Sequence, residues 1–215
     1  MTAGPLAKID HLVFAAPTLA QGIEHIADLT GATPRPGGKH AGMGTHNALL
    51  KLGERFYLEI IAIDPAADKP ARKRWFDLDD GNLMADLFDR PRLIHWVART
   101  HDVEFASKQA GYDPGPILPF SRGEYRWRIT VHDDGKRPGR GVLPTLMQWD
   151  VAQHPADALP ESGLALAELA ASHPEPALVR RSLERLGLSD DLRVTFDRDA
   201  RLAVMLRTPR GLVAL

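Results

Sequence analysis

The sequence predicts an α+β fold of repeated βαβββ units whose sheets curl around a cup, with helices outside. Three observations predict it. A strand–helix–strands order begins at Ile9, returns at Arg92, and returns in shortened form after Gly163. Two stretches of linker composition, 65–92 and 154–163, separate these blocks. Polar, metal-competent residues stand at matching strand positions in the first two blocks. The expected organisation is a domain over 1–153, made of units 9–64 and 92–150, then an abbreviated βαββ unit over 164–215.

In the first unit, "IDHLVFAA" (9–16) is an apolar run that reads as a buried strand. A helix follows, with Leu19, Ile23, Ile26 and Thr30 on one face. Thr18 and Gln21 make a capping box, and Gly31 suits the residue after the helix. "HNALLKLG" and "RFYLEIIAID" are two strands joined by a turn at Gly53 and Glu54.

The second unit begins with the strand "RLIHWVART" and a short helix, "HDVEFASKQAG", closed by Gly111. "YRWRITVHD" is a strand, "DGKRPGRG" a turn-rich connection, and "VLPTLMQWD" the last strand. The third unit reads as strand "LALAELAAS", helix "PEPALVRRSLERLG", strand "LRVTFDRD" and strand "RLAVMLRTPRGLVAL". Pro174 and Pro176 fall in the first turn of that helix, where a missing N–H is tolerated.

Bulk properties exclude several classes. The 215 residues carry a net charge of -1 and no basic tract, which argues against nucleic-acid or anionic-membrane partners. No apolar run approaches the ~18 residues of a membrane span, and the first ten residues lack a signal core. With no cysteine, the chain has no disulfide, thiolate nucleophile or Cys-ligated zinc. A cytoplasmic protein acting on a small molecule is the expectation. There is no G-x-S-x-G elbow and no H-E-x-x-H helix, so serine-hydrolase and zincin chemistry are set aside.

One letter is out of place in "RFYLEIIAID". Glu59 sits among residues suited to a buried strand, and a carboxylate taken out of water costs several kcal/mol unless compensated. His11 holds the first strand of unit one and Glu59 its last. His95 and Gln148 hold the corresponding places in unit two. If the two units pair, these four side chains converge as a divalent-cation site, and the metal compensates Glu59. Against this, a strand Glu often pairs with an arginine, and Arg99, Arg126 and Arg128 are candidates.

The paired units resemble the vicinal oxygen chelate superfamily, which includes glyoxalase I, extradiol dioxygenases and bleomycin-resistance proteins. More narrowly, "DHLVFAAPTL", "GMGTHNALLKLG", "YLEIIAIDP" and "LPTLMQWD" are similar to the glyoxalase-like domain family. The resemblance implies metal ligands at His11, Glu59, His95 and Gln148. It implies one divalent metal (Zn, Fe, Ni, Co or Mn) and a catalytic role for Glu59. The chemistry it implies is that of a lyase or isomerase, or of a dioxygenase, on an oxygen-rich small molecule, with homodimer formation. Gln148 departs from glyoxalase I, which has a proton-shuttling Glu there; an amide cannot serve as general base. The rival is a metal-free binding protein of the bleomycin-resistance kind.

By the same resemblance His46 and Asn47 line the cup and bind substrate. Trp75, with Phe76, forms a lid within the 65–92 connection, and Trp127 forms core or cup wall. Glu168 takes in the third unit the place of His11 in the first.

Overall fold

β1 (Ala7–Ala15) and α1 (Leu19–Thr30) form where the apolar run and the helical periodicity put them. The computed structural model describes residues 4–215 of the chain. At the start of α1 the Gln21 amide donates to Thr18 Oγ1 (3.3 Å), and the Thr18 hydroxyl donates to Gln21 Oε1 (2.8 Å). Gly31 ends the helix at φ 77°, a conformation that suits glycine.

β2 (Arg35–His40), β3 (Thr45–Gly53) and β4 (Phe56–Ile63) complete the first unit. Helix α2 (Gly81–Asp89) lies in the connection between the units, capped by Asp80. The second unit is β5 (Arg92–Thr100), α3 (Val103–Gln109), β6 (Ile117–Arg122), β7 (Tyr125–Thr130) and β8 (Thr145–Trp149). β2, β6 and α2 form in segments whose sequence reads only as connections.

All eight strands of the two units form one sheet in the order β2-β3-β4-β1-β5-β8-β7-β6. In each half the first strand pairs parallel with the last, β1 with β4 and β5 with β8, and the halves join through antiparallel β1 and β5. The two outer strands come together, since Arg122 on β6 reaches His40 and Asn47 on β2 and β3. The sheet is therefore curled almost into a barrel. Its convex face packs Leu12, Phe14, Leu58, Ile60, Trp96 and Leu146 into the main core. Val13, Ile61, Val97, Trp127, Ile129 and Met147 face inward. This is the α+β cup that the repeats predict.

The C-terminal unit differs in detail. β9 (Ala165–His173), α4 (Pro176–Leu186), β10 (Arg193–Phe196), β11 (Arg201–Thr208) and β12 (Gly211–Ala214) form a second sheet ordered β10-β9-β11-β12. The segment read as one last strand is a hairpin of two. The strand after α4, not the last strand, pairs parallel with the first. Glu168 is exposed there and pairs with Arg193 at 2.6 Å, so its position is not that of His11.

Gly22 carries a checkable consequence. Replacing a mid-helix glycine with alanine ordinarily stabilises a helix by ~0.5–1 kcal/mol. A Cβ on Gly22, however, would lie 2.5 Å from Ile60 Cγ2 and 2.8 Å from Ala16 Cβ. Gly22→Ala should therefore destabilise, by about 1–3 kcal/mol in urea denaturation, as overpacked cores do. A gain in stability would mean that the α1–β4 contact yields.

Candidate functional site

Between Ile9 and His11 the β1–β5 register slips by one residue, and Asp10 is the extra residue. A bulge re-aims side chains. Two consecutive residues, Asp10 and His11, are brought into contact that strict alternation would forbid. Asp10 Oδ1 lies 2.7 Å from His11 Nδ1, and Oδ2 lies 3.1 Å from His154 Nε2 and 2.9 Å from Trp149 Nε1. Asp10 is wholly buried. Burial alone would raise its carboxyl, but the hydrogen bonds from His11 and His154 outweigh that and hold it well below the usual range.

An ionised carboxylate only accepts, so the tautomers follow. His11 Nδ1–H donates to Asp10, which aims Nε2 away from it. His154 Nε2–H donates to Asp10, and His154 Nδ1 accepts from the Ala156 amide at 3.2 Å. His11 is further fixed by stacking on Tyr57, with ring centroids 4.7 Å apart.

Glu59 on β4 is nearly buried, at 5% exposure. Its Oε1 accepts from Asn47 Nδ2 at 2.5 Å, and its Oε2 stands 3.6 Å from His11 Nε2. Asn47 in turn accepts from Arg122 Nη1 at 3.1 Å. Arg122 Nη1 also lies 3.3 Å from His40 Nε2 and donates to it. His40 Nδ1 then donates to Thr45 Oγ1, 3.0 Å away. Burial pushes the His40 imidazole down to about 4, against the pull of Glu59 and with the help of Arg122.

Aromatic residues enclose this group. Trp75, Phe76, Trp127 and Trp149 line a pocket of about 30 Å³ together with His11, His40, Asn47, Glu59 and Arg122. Trp75 stacks on Phe76 at 5.4 Å and meets His40 edge-on at 5.0 Å. Both aromatics are buried, and Trp75 Nε1 has no hydrogen-bond partner among the described residues. Phe76 and Asp77 both have φ of 60°, a strained conformation for residues with side chains. Arg137 holds Asp77 there through a 2.6 Å ion pair.

The predicted residues divide. His11, Glu59, Asn47, Trp75 and Trp127 meet at this pocket. His95 does not reach it. Val13, not His11, stands between Glu59 and His95 in the register, one rung away. Both His95 nitrogens are occupied: Nδ1–H donates to Gly141 O at 3.1 Å, and Nε2 accepts from Thr145 Oγ1 at 2.9 Å. Burial, and secondarily Arg137, push its imidazole down to about 3. Gln148 faces the convex side, because Met147 and Trp149 take the inward positions of β8; its Oε1 accepts from the Val103 amide and caps α3. His46 alternates with inward-facing Asn47 and is likewise outside the pocket.

The expected metal quartet is therefore not assembled. Among the described residues no group of three or more His, Asp or Glu side chains is arranged to hold a metal ion. His40 Nε2 is 4.0 Å from Glu59 Oε1, but Arg122 already donates to it. The donors present do not fit the metal that the resemblance implies.

A family model described as "Glyoxalase-like domain" matches residues 9–187. The chain belongs to the glyoxalase-like domain family. It has the vicinal oxygen chelate fold. Among solved structures it is similar to a hypothetical protein from Staphylococcus aureus, with 12% identity and a TM-score of 0.62, covering 91% of this chain and 88% of that one. Methylmalonyl-CoA epimerase from Mycobacterium tuberculosis matches at 18% identity and TM-score 0.42, over 71% of this chain and 94% of the other. A point variant of the Streptomyces coelicolor epimerase, in complex with 2-nitronate-propionyl-CoA, matches at 19% identity and TM-score 0.43, over 69% of this chain and 98% of that one. No curated protein sequence matches. Among the described residues no helix is long and apolar enough to cross a membrane.

Sequence reasoning passes over Asp10, His40, Arg122 and His154 in this glyoxalase-like chain. Asp10 is hidden by the bulge, and His40 and Arg122 lie on two strands without an apolar pattern. His154 lies in a segment of linker composition.

The depressed imidazoles give a pH dependence. His40 and His95 bind a proton in the unfolded chain near pH 6.5 but in the folded chain only near 4 and 3. The unfolded state thus holds more protons in that window, so stability should fall as pH drops from about 6.5 toward 4. Denaturant melts across this range check it, with NMR titration expected to keep both rings neutral at pH 5.5. Level stability would contradict the burial of both neutral rings.

Proposed function

We propose that this protein is an enzyme of the lyase or isomerase kind, which moves a proton on a small, oxygen-rich organic molecule. One observation supports the reading above the rest. His11 Nε2 and Glu59 Oε2 face one another at 3.6 Å, and His11 is oriented from behind by Asp10. An imidazole backed by an ionised carboxylate is a positioned acid–base group. Glu59 is a second one on the opposite side.

The chemistry follows from the neighbours. A substrate carbonyl or carboxylate oxygen would accept from Arg122 and from the unpartnered Trp75 indole N–H. The adjacent C–H then stands over the His11–Glu59 pair, within reach of either group. One of them takes the proton, the C–H electron pair moves onto the substrate oxygen, and Arg122 stabilises the oxyanion. The abstracted proton can pass between His11 and Glu59, and its return to a substrate carbon gives an isomer; loss of a neighbouring leaving group gives a lyase product. Trp75 and Phe76 fill the space the substrate needs, so they act as a cover that opens. The dioxygenase branch has less support, because His95, which would complete a two-His-one-carboxylate set with His11 and Glu59, is engaged elsewhere. The aromatic walls favour one other reading, a cup that binds a small molecule without turning it over.

Exchange of substrate C–H in D₂O, followed by NMR across a panel of 2-oxo acids, 2-hydroxy ketones and acyl thioesters, tests this. Wild type should exchange at least one class, and Glu59→Gln and His11→Gln should each lower the rate ~10²–10⁴-fold. Binding without exchange would favour the binding cup. Gln148→Ala should leave exchange unchanged and cost about 0.5–2 kcal/mol of stability, as loss of a helix cap does. A rate that falls with Gln148→Ala and returns on adding Zn or Mn would restore the metal quartet.

A further inference from the structure

Beside the site, but outside it, lies a larger groove of about 640 Å³. This is within the ~300–1,000 Å³ range typical of small-molecule sites. Lys8 and Arg99 form one wall, Arg55 and Glu54 of the β3–β4 turn another, and His101 the rim. Trp149 lines both this groove and the small pocket, so a single indole separates them. The same indole donates to Asp10 at 2.9 Å.

The cations of this groove lack carboxylate partners among the described residues, unlike several arginines elsewhere. Arg74, Arg92, Arg128, Arg137, Arg193 and Arg201 each pair with a carboxylate. Among the described residues, Lys8, Arg55 and Arg99 have no such partner. Arg55 donates to the Ala152 carbonyl at 3.0 Å, and Arg99 to the carbonyls of Arg55, at 2.8 Å, and of Ile9. Backbone carbonyls fix these guanidinium groups in place without neutralising them. Glu54 is the one acidic residue on the lining, against three permanent cations. Asp10 acts on Arg99 from behind, but its oxygens are already held by His11, His154 and Trp149.

We propose that this groove binds a compact polyanion, a phosphate or polycarboxylate group, carried as the tail of the molecule whose reactive end lies on the other side of Trp149, beneath Trp75 and Phe76. The inference deepens the proposed proton-transfer function by naming a substrate class. Two arginines held by their own backbone contacts suit oxyanion recognition, because a guanidinium presents several donors in a fixed plane. Steering is a second consequence: three cations against one carboxylate on the lining attract an anion to this groove.

Calorimetric titration of the intact protein with inorganic pyrophosphate and with citrate tests it. Wild type should bind at least one of them, with affinity falling as salt rises. Tighter pyrophosphate binding identifies a phosphate tail, and tighter citrate binding a polycarboxylate. Arg55→Gln and Lys8→Gln, both at the surface, should each weaken binding about tenfold, the loss of one charge-assisted contact. The Trp149 indole N–H resonance should shift on titration and stay still in Arg55→Gln. Glu59→Gln should bind as wild type does, which separates failure of this proposal from failure of the catalytic reading. No binding of either anion at millimolar concentration, or binding by the Arg55 and Lys8 variants as tight as that of the wild type, would overturn it.

Discussion

A carboxylate removed wholly from water costs several kcal/mol unless donors surround it, and around Asp10 three do: His11, His154 and Trp149. They come from three parts of the chain. His11 is its neighbour in β1, Trp149 ends β8, and His154 starts the short turn after it. Burying Asp10 therefore ties the end of the second unit to the start of the first, across the β1–β5 seam that joins the halves. The bulge makes this possible. Without the extra residue, Asp10 and His11 would point to opposite faces, and the carboxylate would be buried on the convex side among Leu12 and Phe14.

From that anchor the polar interior is ordered outward. Asp10 fixes the proton of His11 on Nδ1 and leaves Nε2 toward Glu59. Asn47 holds the other oxygen of Glu59, Arg122 holds Asn47 and His40, and Thr45 takes the remaining His40 proton. Each donor meets an acceptor, and the positive partner that Glu59 requires is a guanidinium acting through an amide. A hydrogen-bonded chain of this kind has one consistent set of proton positions, which is what keeps a buried polar network from becoming a liability. It also adds to the burial that keeps His40 neutral. Protonating Nε2 would place a second positive charge against Arg122.

The cup, the pairing of its first strands and the importance of "RFYLEIIAID" were legible because they rest on long apolar periodic segments. His11 and Glu59 were legible as polar intruders within such segments. What could not be read was register. Period-two alternation assigns faces correctly only until a bulge, and the slip at Asp10 lies one residue before the first site histidine. His95 does repeat the position of His11, but the register gives the place of Glu59 to Thr145 and not to Gln148, since Val13 pairs with Glu59 and Val97 with Thr145. Val13 stands between Glu59 and His95, and alternation along β8 turns Gln148 to the helix side. His40 and Arg122 were missed because "RPGGKH" and "ILPFSR" contain glycine or proline and no sustained apolar run. These are the outer strands of the sheet, where such residues are tolerated. They meet only because the sheet closes, which no local pattern records.

The closure that assembles the site also narrows it. At about 30 Å³ the pocket is the size of a water molecule's share of liquid, so Trp75 and Phe76 occupy the volume a substrate would need. Their hold is of a particular kind. Two consecutive residues in the left-handed region, Phe76 and Asp77, cost roughly 1–3 kcal/mol each, and the Asp77–Arg137 pair offsets that cost from the far side of the turn. Arg137 also donates to the Ile94 carbonyl at 2.7 Å, so it links the cover to the strand that carries His95. A cover seated by apolar burial but strained at its hinge has two opposing terms of similar size. The aromatic rings lose little by exchanging contact with His40 and Phe120 for contact with an organic ligand, whereas the backbone gains by relaxing. On the proposed reading, the strain at Phe76 and Asp77 lies where it would lower the cost of opening without loosening the sheet, whose register holds His11 and Glu59 together.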